Sequence, residues 1–466
     1  MIPVRLFELC RALRAKIPPE MDDCRVCNIV TDSRTVNPAA VFFALVGDNH
    51  DGHDFAGEAV RAGAPAVVVD RDVNLPNEKV IRVDATGDAL LTAGRFIRSK
   101  ISIPVIGITG SVGKTTTKDM IHHLMSKHLS CFKAPGSYNN SVGVPLTLFG
   151  VEASHQCVVV EMGTNAPGEI DALAAAARPG VAIITGAGPT HLEGLGSIEN
   201  VADEKLCLLR HLTASGPAIL NGDQPILRRR AEKFNGQVQW FGTGAGNHWR
   251  VENIESEKNG VTGLVNGRFR LRLKTRARHN LLNALSAIAV ANHLGIPPAV
   301  AANDLADFSP PAMRFEVLRV GAITVINDAY NANPVSCAAA LEGLRDFSGA
   351  AEDGSPGGRK IFVIGDMLEL GREARRYHRE LGRKAVEAGV DAVWAVGLYA
   401  GVVVEGCRDA GRRNRSFFNG GSYQAFPAVG DLADRIKELC EPGDVLCLKG
   451  SRAMHIEQVL DGLLAH

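Results

Sequence analysis

No apolar run in the 466 residues approaches the roughly 18 needed to span a bilayer as a helix, and the opening Met1-Ile2-Pro3-Val4-Arg5-Leu6-Phe7-Glu8 lacks a signal-peptide core. Net charge is also lacking: 51 Lys and Arg balance 51 Asp and Glu, so no global field recruits nucleic acid or an anionic membrane. Any polyanion must be held by a local site. The ten cysteines are scattered and form no secreted disulfide framework, which fits a reducing, cytoplasmic setting. Cys24 and Cys27 make a solitary CxxC with no second Cys or His pair at zinc-ligand spacing, so an ordinary pair of thiols is the simpler reading. Internal repeats and extended low-complexity tracts are absent too. Glycine is what the chain has in excess: 49 residues exceed the usual share of about 7%, as glycine-rich βα turns would require.

A chain of 466 residues is too long for one hydrophobic core, and a usual domain size of roughly 150 residues implies about three domains. Short β-rich runs at residues 41–45, 66–69 and 80–83 alternate with Ala-rich stretches, the pattern of a small α/β domain over residues 1–98. A second domain, 99–310, opens with the apolar strand candidate 103–108, and Met120, Ile121, Leu124, Met125 and Leu129 then recur at helical spacing. Further buried-strand candidates at 157–161 and 181–185 alternate with helical stretches, which predicts a doubly wound, mostly parallel sheet. The helix-rich stretch 280–305 stops near Pro310-Pro311, a plausible linker. Strand candidates at 323–326, 361–364, 392–396 and 445–448 then predict a Rossmann-like α/β domain over 311–466, with a surface loop at 351–358.

Thr109-Gly110-Ser111-Val112-Gly113-Lys114-Thr115-Thr116 joins the apolar strand to the amphipathic helix. Glycines let backbone N–H groups converge on phosphate oxygens, the helix adds its positive N-terminus, Lys114 reaches the β and γ phosphates, and Thr115 would ligate Mg²⁺. The ligand so predicted is a nucleoside triphosphate. Ile108 stands where the longer G-x-x-x-x-G-K-[ST] pattern has its first glycine, which argues against a GTPase or an ordinary Walker ATPase. Glu161 ends an apolar strand at the carboxyl edge of the sheet, where it suits a second Mg²⁺ ligand or is simply a solvated strand end. His191, on the loop leaving the next strand, is a metal ligand or a loop histidine, and Lys205 by itself reads as a solvated helix residue. Asp328-Ala329-Tyr330-Asn331-Ala332-Asn333-Pro334 and Lys449-Gly450-Ser451-Arg452 follow strands of the third domain, the latter offering cations for a carboxylate or phosphate. Arg228-Arg229-Arg230 is most simply a solvated helix face.

Together these residues resemble the Mur ligase family nearly end to end. Thr31-Asp32-Ser33-Arg34 and Asp51-Gly52-His53-Asp54-Phe55 are similar to the family's module for the UDP end of its substrate. The phosphate loop, Asn139-Asn140-Ser141, Glu161-Met162-Gly163 and His191-Leu192-Glu193-Gly194 resemble its ATPase signature, and His279-Asn280 with Asn283 the segment approaching adenine. In the third domain the Asp328 and Lys449 segments and Gly365-Asp366-Met367-Leu368-Glu369-Leu370-Gly371 look like the members that add D-alanyl-D-alanine, and the D-N-P-R motif of the diaminopimelate-adding members is missing.

What the resemblance implies is an ATP- and Mg²⁺-dependent amide ligase that adds D-alanyl-D-alanine to UDP-N-acetylmuramoyl-tripeptide through an acyl phosphate. It implies Lys114, Glu161, His191 and Lys205 as catalytic residues, and residues 109–116, Asn280 and Asn283 around ATP. Ser33, Arg34, Asn139, Asn140, Arg314, Asp328, Asn331, Asn333, Lys449, Ser451 and Arg452 would hold the other substrates. Metal ligands would be Thr115, Glu161, His191 and, once carbamylated, Lys205. Two departures accompany this: Glu204-Lys205-Leu206-Cys207 lacks the small residue and Glu that commonly follow the lysine, and Met313 stands before Arg314 where glycine is commoner. A monomer working on small molecules, without nucleic acid or membrane insertion, is expected. Two rivals share the phosphate loop: a folylpolyglutamate synthase-like ligase, opposed by the UDP-type first domain, and a nucleotide-gated binding module without ligase activity.

Overall fold

The computed structural model describes residues 1–17, 24–257, 260–347, 358–413 and 422–464, so most of the surface loop expected at 351–358 lies outside the described residues. In the first unit Asn28–Val30, Ala40–Phe43, Val67–Val69 and Val80–Arg82 lie side by side in chain order, all parallel. Ala40–Phe43 and Val67–Val69 are buried throughout, which is why they read as unbroken apolar runs. The helix Thr86–Lys100 carries the chain past residue 98 without a break and packs on the central unit. Its Arg98 donates to the carbonyls of Ala177 at 2.6 Å and Arg178 at 2.9 Å, satisfying the end of the helix Glu169–Ala177. The first junction is thus packed, whereas residues 308–315 at the second contain neither helix nor strand.

The central sheet runs Cys131–Lys133, Cys157–Glu161, Val105–Thr109, Val181–Ile184, Ala218–Asn221, Val238–Gly242 and Trp249–Glu257, all parallel, then Gly260–Val265 and Phe269–Leu273, antiparallel. Its side chains divide between two cores. Val158, Val160, Ala182 and Ile184 face the helices Glu169–Ala177 and Ile198–Leu206, while Ile106, Ile108, Val159 and Ile183 face Lys114–Met125 and Asn280–His293. Cover on both faces is the doubly wound arrangement expected.

The third sheet runs Glu316–Val320, Ile323–Asn327, Val445–Lys449, Lys360–Gly365, Ala392–Val396, Ser422–Phe426, with only the first strand antiparallel. Register sets the chemistry's address. Glu161 pairs with Ile108 and Thr109 with Ile184 in the central sheet, and Lys449 pairs with Ile364 and Asn327 with Leu448 in the third, so the candidate groups all leave carboxyl ends of strands. All ten cysteines, Cys24 and Cys27 included, are free thiols.

Phe362 is fully buried in the middle of the third sheet. Phe362→Ala is expected to cost about 3–5 kcal/mol, read as a lower urea midpoint for the third unit by far-UV circular dichroism.

Candidate active site

The phosphate loop is shaped by what presses against it. Gly110 (φ 152°) and Gly113 (φ 86°) adopt backbone that side chains disfavour, and a Cβ on them would lie 1.9 Å from Thr185 Oγ1 and 2.5 Å from Asn283 Oδ1. Thr185 Oγ1 donates to the Val112 carbonyl at 2.5 Å, Ser111 N to the Gly186 carbonyl at 2.9 Å, and Gly188 N to Ser111 Oγ at 3.0 Å. The strand exit after Val181–Ile184 therefore braces the loop, leaving the start of the helix Lys114–Met125 aimed at the cleft. Lys114 Nζ donates to the Gly110 carbonyl at 2.8 Å. Burial lowers the Lys114 ammonium below its ordinary range, with Glu161 opposing.

Glu161 is 3% exposed. Its Oε1 accepts from Thr115 Oγ1 at 3.2 Å and Asn139 Nδ2 at 2.9 Å, while Oε2 is buried without a hydrogen bond. A buried carboxylate with a threonine hydroxyl at one oxygen and, at the other, no hydrogen bond but only the Lys118 ammonium at 3.4 Å fits a hard cation. Among the described residues no three His, Cys, Asp or Glu gather into a cage of their own. Mg²⁺ in general keeps waters and takes phosphate oxygens along with one or two protein ligands.

His191 and the third unit meet directly. His191 Nδ1 lies 2.5 Å from Glu369 Oε2, and Glu193 N donates to the Glu369 carbonyl at 3.1 Å. The bond to His191 is the first cause of a Glu369 carboxyl held below its ordinary range. Nearby, Ser137 Oγ and Tyr330 OH are 2.5 Å apart, and the Arg314 guanidinium stacks 3.8 Å from the Tyr330 ring centroid.

Lys449 is tied down: its Nζ meets Asp328 Oδ2 at 2.8 Å and the carbonyls of Asp328 at 3.0 Å and Asn331 at 2.7 Å, using its three donors. Asp328 Oδ1 accepts from Phe315 N at 3.1 Å, so this carboxylate shapes the loop as well as facing the cleft. Asn333 caps the helix Pro334–Arg345, accepting from Ser336 N at 2.9 Å. Ser451 is buried and accepts from Leu368 N at 2.9 Å. Arg452, bonded to Glu457 at 2.8 Å with its side chain 45% exposed, is the more available cation of its segment.

These groups enclose a cleft of about 730 Å³, an ordinary size for a small-molecule site. Residues 111–116, Asn139, Asn140, Glu161, His191 and Asn280 line it from the central unit, and Arg314, Asp328, Asn331, Asn333, Lys449 and Arg452 from the third. Thr109, Gly110, Asn283, Lys205 and Ser451 stand behind this lining, and Ser33 and Arg34 lie apart from it on the first unit, where Arg34 pairs with Asp32 at 2.7 Å.

Residues 25–98, 108–291 and 313–452 match the models described as Mur ligase family catalytic domain, Mur ligase middle domain, and Mur ligase glutamate ligase domain. A Bacillus subtilis protein named UDP-N-acetylmuramoyl-tripeptide--D-alanyl-D-alanine ligase is 33% identical over 96% of this chain and 95% of its own. The chain belongs to the Mur ligase family. Among solved structures, MurF from Acinetobacter baumannii is similar at TM-score 0.89 and 28% identity, covering 100% of this chain and 99% of that one. MurF from Thermotoga maritima in complex with ADP is similar at TM-score 0.80 and 28% identity, covering 94% of this chain and 96% of that one.

In this Mur ligase the Met313 departure has a local explanation, whereas nothing in the structure accounts for Leu206 and Cys207 after Lys205. Met313 has φ 58°, a left-handed backbone that glycine adopts without strain, and it is held there by Tyr330 N donating to its carbonyl at 3.3 Å and by Glu316 accepting from its N–H at 3.1 Å. Glu204 turns away from Lys205 and accepts from Gly168 N and Ile170 N, each at 2.8 Å, capping the helix Glu169–Ala177. Lys205 is 1% exposed and its ammonium has no hydrogen-bond or ion-pair partner among the described residues. Burial, reinforced by Lys114, lowers it to about 7. Sequence reasoning did not single out Lys118, Ser137, Thr185 or Glu369 as site residues, although the last lies inside a quoted motif.

Between about pH 7 and 10.5 the unfolded chain holds a proton on Lys205 that the folded chain does not. Stability in carbon dioxide-free buffer is therefore expected to rise with pH across that window and to be lost as pH falls toward 7. Lys205→Met should flatten that slope in thermal melts; an unchanged slope would refute the assignment.

Proposed function

We propose that this Mur ligase joins D-alanyl-D-alanine to UDP-N-acetylmuramoyl-tripeptide, converting ATP to ADP and phosphate. The observation that carries the reading is end-to-end likeness to ligases of that name, combined with a cleft lined by a phosphate loop on one side and by the Asp328 loop on the other. A folylpolyglutamate synthase-like activity is disfavoured by the first unit, which matches its own Mur ligase model. The enzyme is assigned to the cytoplasm, as a monomer; no described helix is long and apolar enough to cross a membrane.

A carboxylate is a poor electrophile, so the tripeptide's terminal carboxylate first attacks the γ-phosphorus and ADP departs. The unprotonated amine of the dipeptide then attacks the acyl carbon, phosphate leaves and the nitrogen sheds its proton. Lys114 and the helix N-terminus hold the transferring phosphate, and Asn280 and Asn283 support the adenine end. Thr115 and Glu161 would hold one Mg²⁺, with the open Glu161 Oε2 supporting that role, and His191 and carbamylated Lys205 a second. Bound there, Mg²⁺ supplies charge neutralisation. A neutral amine is what reacts with carbon dioxide, and the low Lys205 ammonium supports that modification. Ser33 and Arg34 take the UDP end, Asn139 and Asn140 the peptide, and Arg314, Asn331, Asn333 and Arg452 the dipeptide. Asp328, Lys449 and Ser451 hold those groups in position.

Purified protein with ATP and Mg²⁺ is expected to release phosphate only when both UDP-MurNAc-tripeptide and D-Ala-D-Ala are present; nucleotide binding without such release would favour a module lacking ligase activity. Glu161→Gln should lower kcat by about 100-fold, a loss of the size found when one preorganised electrostatic group is removed. Lys205→Ala should lose turnover that added bicarbonate does not restore, measured in the same assay.

A further inference from the structure

The reaction as described leaves Lys118 without a part. It lies on the helix Lys114–Met125 one turn beyond Lys114, is 1% exposed, and donates from Nζ to the Gly136 carbonyl. That same Nζ stands 3.4 Å from Glu161 Oε2, with both side chains 2% exposed. A buried ion pair contributes little to stability because each ion loses its hydration, so stability alone is a poor account of this one. Its position is informative. Glu161 Oε1 is already taken by Thr115 and Asn139, and Oε2, the oxygen open to a metal, is the oxygen beside the Lys118 charge.

We infer that Lys118 is a positioning residue that couples metal binding to nucleotide binding. It orients Glu161 and anchors, at Gly136, the loop that carries Ser137 and Asn139. Its fixed positive charge repels a divalent cation approaching Oε2, and in a buried site that repulsion is weakly screened. Glu161 therefore holds no metal tightly alone. The cation gains enough attraction only when nucleotide phosphates bring further negative charge to the Lys114 loop, so metal and nucleotide enter and leave together. The inference rests on Glu161 being a Mg²⁺ ligand, as proposed above.

The test is Mn²⁺ binding to the full-length protein, followed by electron paramagnetic resonance of free Mn²⁺, with and without ADP. Lys118→Gln retains a donor for the Gly136 carbonyl while removing the charge. The wild type should bind Mn²⁺ at this site only with ADP, and K118Q should bind it without ADP at least about tenfold more tightly, as expected for removing a buried like charge. Wild-type protein that binds Mn²⁺ equally tightly with and without ADP overturns the inference. So does K118Q affinity within twofold of wild type while the ADP-dependent site is present, and in that case the metal assignment stands. Absence of any Mn²⁺ site even with ADP overturns the metal assignment and this inference with it. If K118Q does not fold, Lys118→Met, which removes the charge and keeps the buried stem, carries the same comparison with the same outcomes.

Discussion

His191 of the central unit and Glu369 of the third approach to 2.5 Å, and the Glu193 amide reaches the Glu369 carbonyl at 3.1 Å. Through this clasp the carboxyl edges of two separate parallel sheets face one cleft. Each sheet alone offers half a site: one a phosphate cradle, the other a polar loop. Both clasp residues take left-handed backbone, φ 54° at His191 and 63° at Glu369, at an expected cost of about 1–3 kcal/mol each. Such strain persists only where surrounding contacts over-determine it, and here it falls where the two units meet.

The chemistry needs this division. An acyl phosphate is destroyed by water, and a lysine as buried as Lys205 keeps a neutral amine only where water is scarce. Lys114 at the cleft and the buried Lys118, one turn apart on the same helix, set positive charge around one phosphate site with Glu161 among them. Positive charge concentrated in low dielectric is costly without an anion and strongly favourable with a triphosphate. The site is built for a polyanion, although the chain as a whole carries no net charge.

Several residues chosen for chemistry prove to do much of their work on the backbone. Lys449 spends its donors on Asp328 and the Asn331 carbonyl, Asn333 caps a helix, and Ser451 pins Leu368. The segments that bring Arg314, Asn331 and Arg452 to the cleft have their shape fixed by buried polar bonds, and these residues supply them. Pattern reading missed interior strands, Ala218–Asn221 and Val238–Gly242, as well as edge strands. Glu316–Val320 and Ser422–Phe426 flank the third sheet with half-exposed residues, so no apolar run marks them. The hairpin between Gly260–Val265 and Phe269–Leu273 did carry a signal, Asn266-Gly267, with φ 51° and 66°.

By itself the sequence determined several of the buried strands, though not Ala218–Asn221, together with the phosphate loop and the three α/β units, because a strand covered on both faces must be apolar throughout and a phosphate cradle must have its glycines. The family resemblance also followed from short contiguous motifs. Only the tertiary structure decided which motifs meet: Thr185 against Gly110, Tyr330 against Ser137, Glu369 against His191, and Lys118 against Glu161. Those pairs join residues far apart in the chain, and their energies depend on distance and burial, quantities that local composition does not encode.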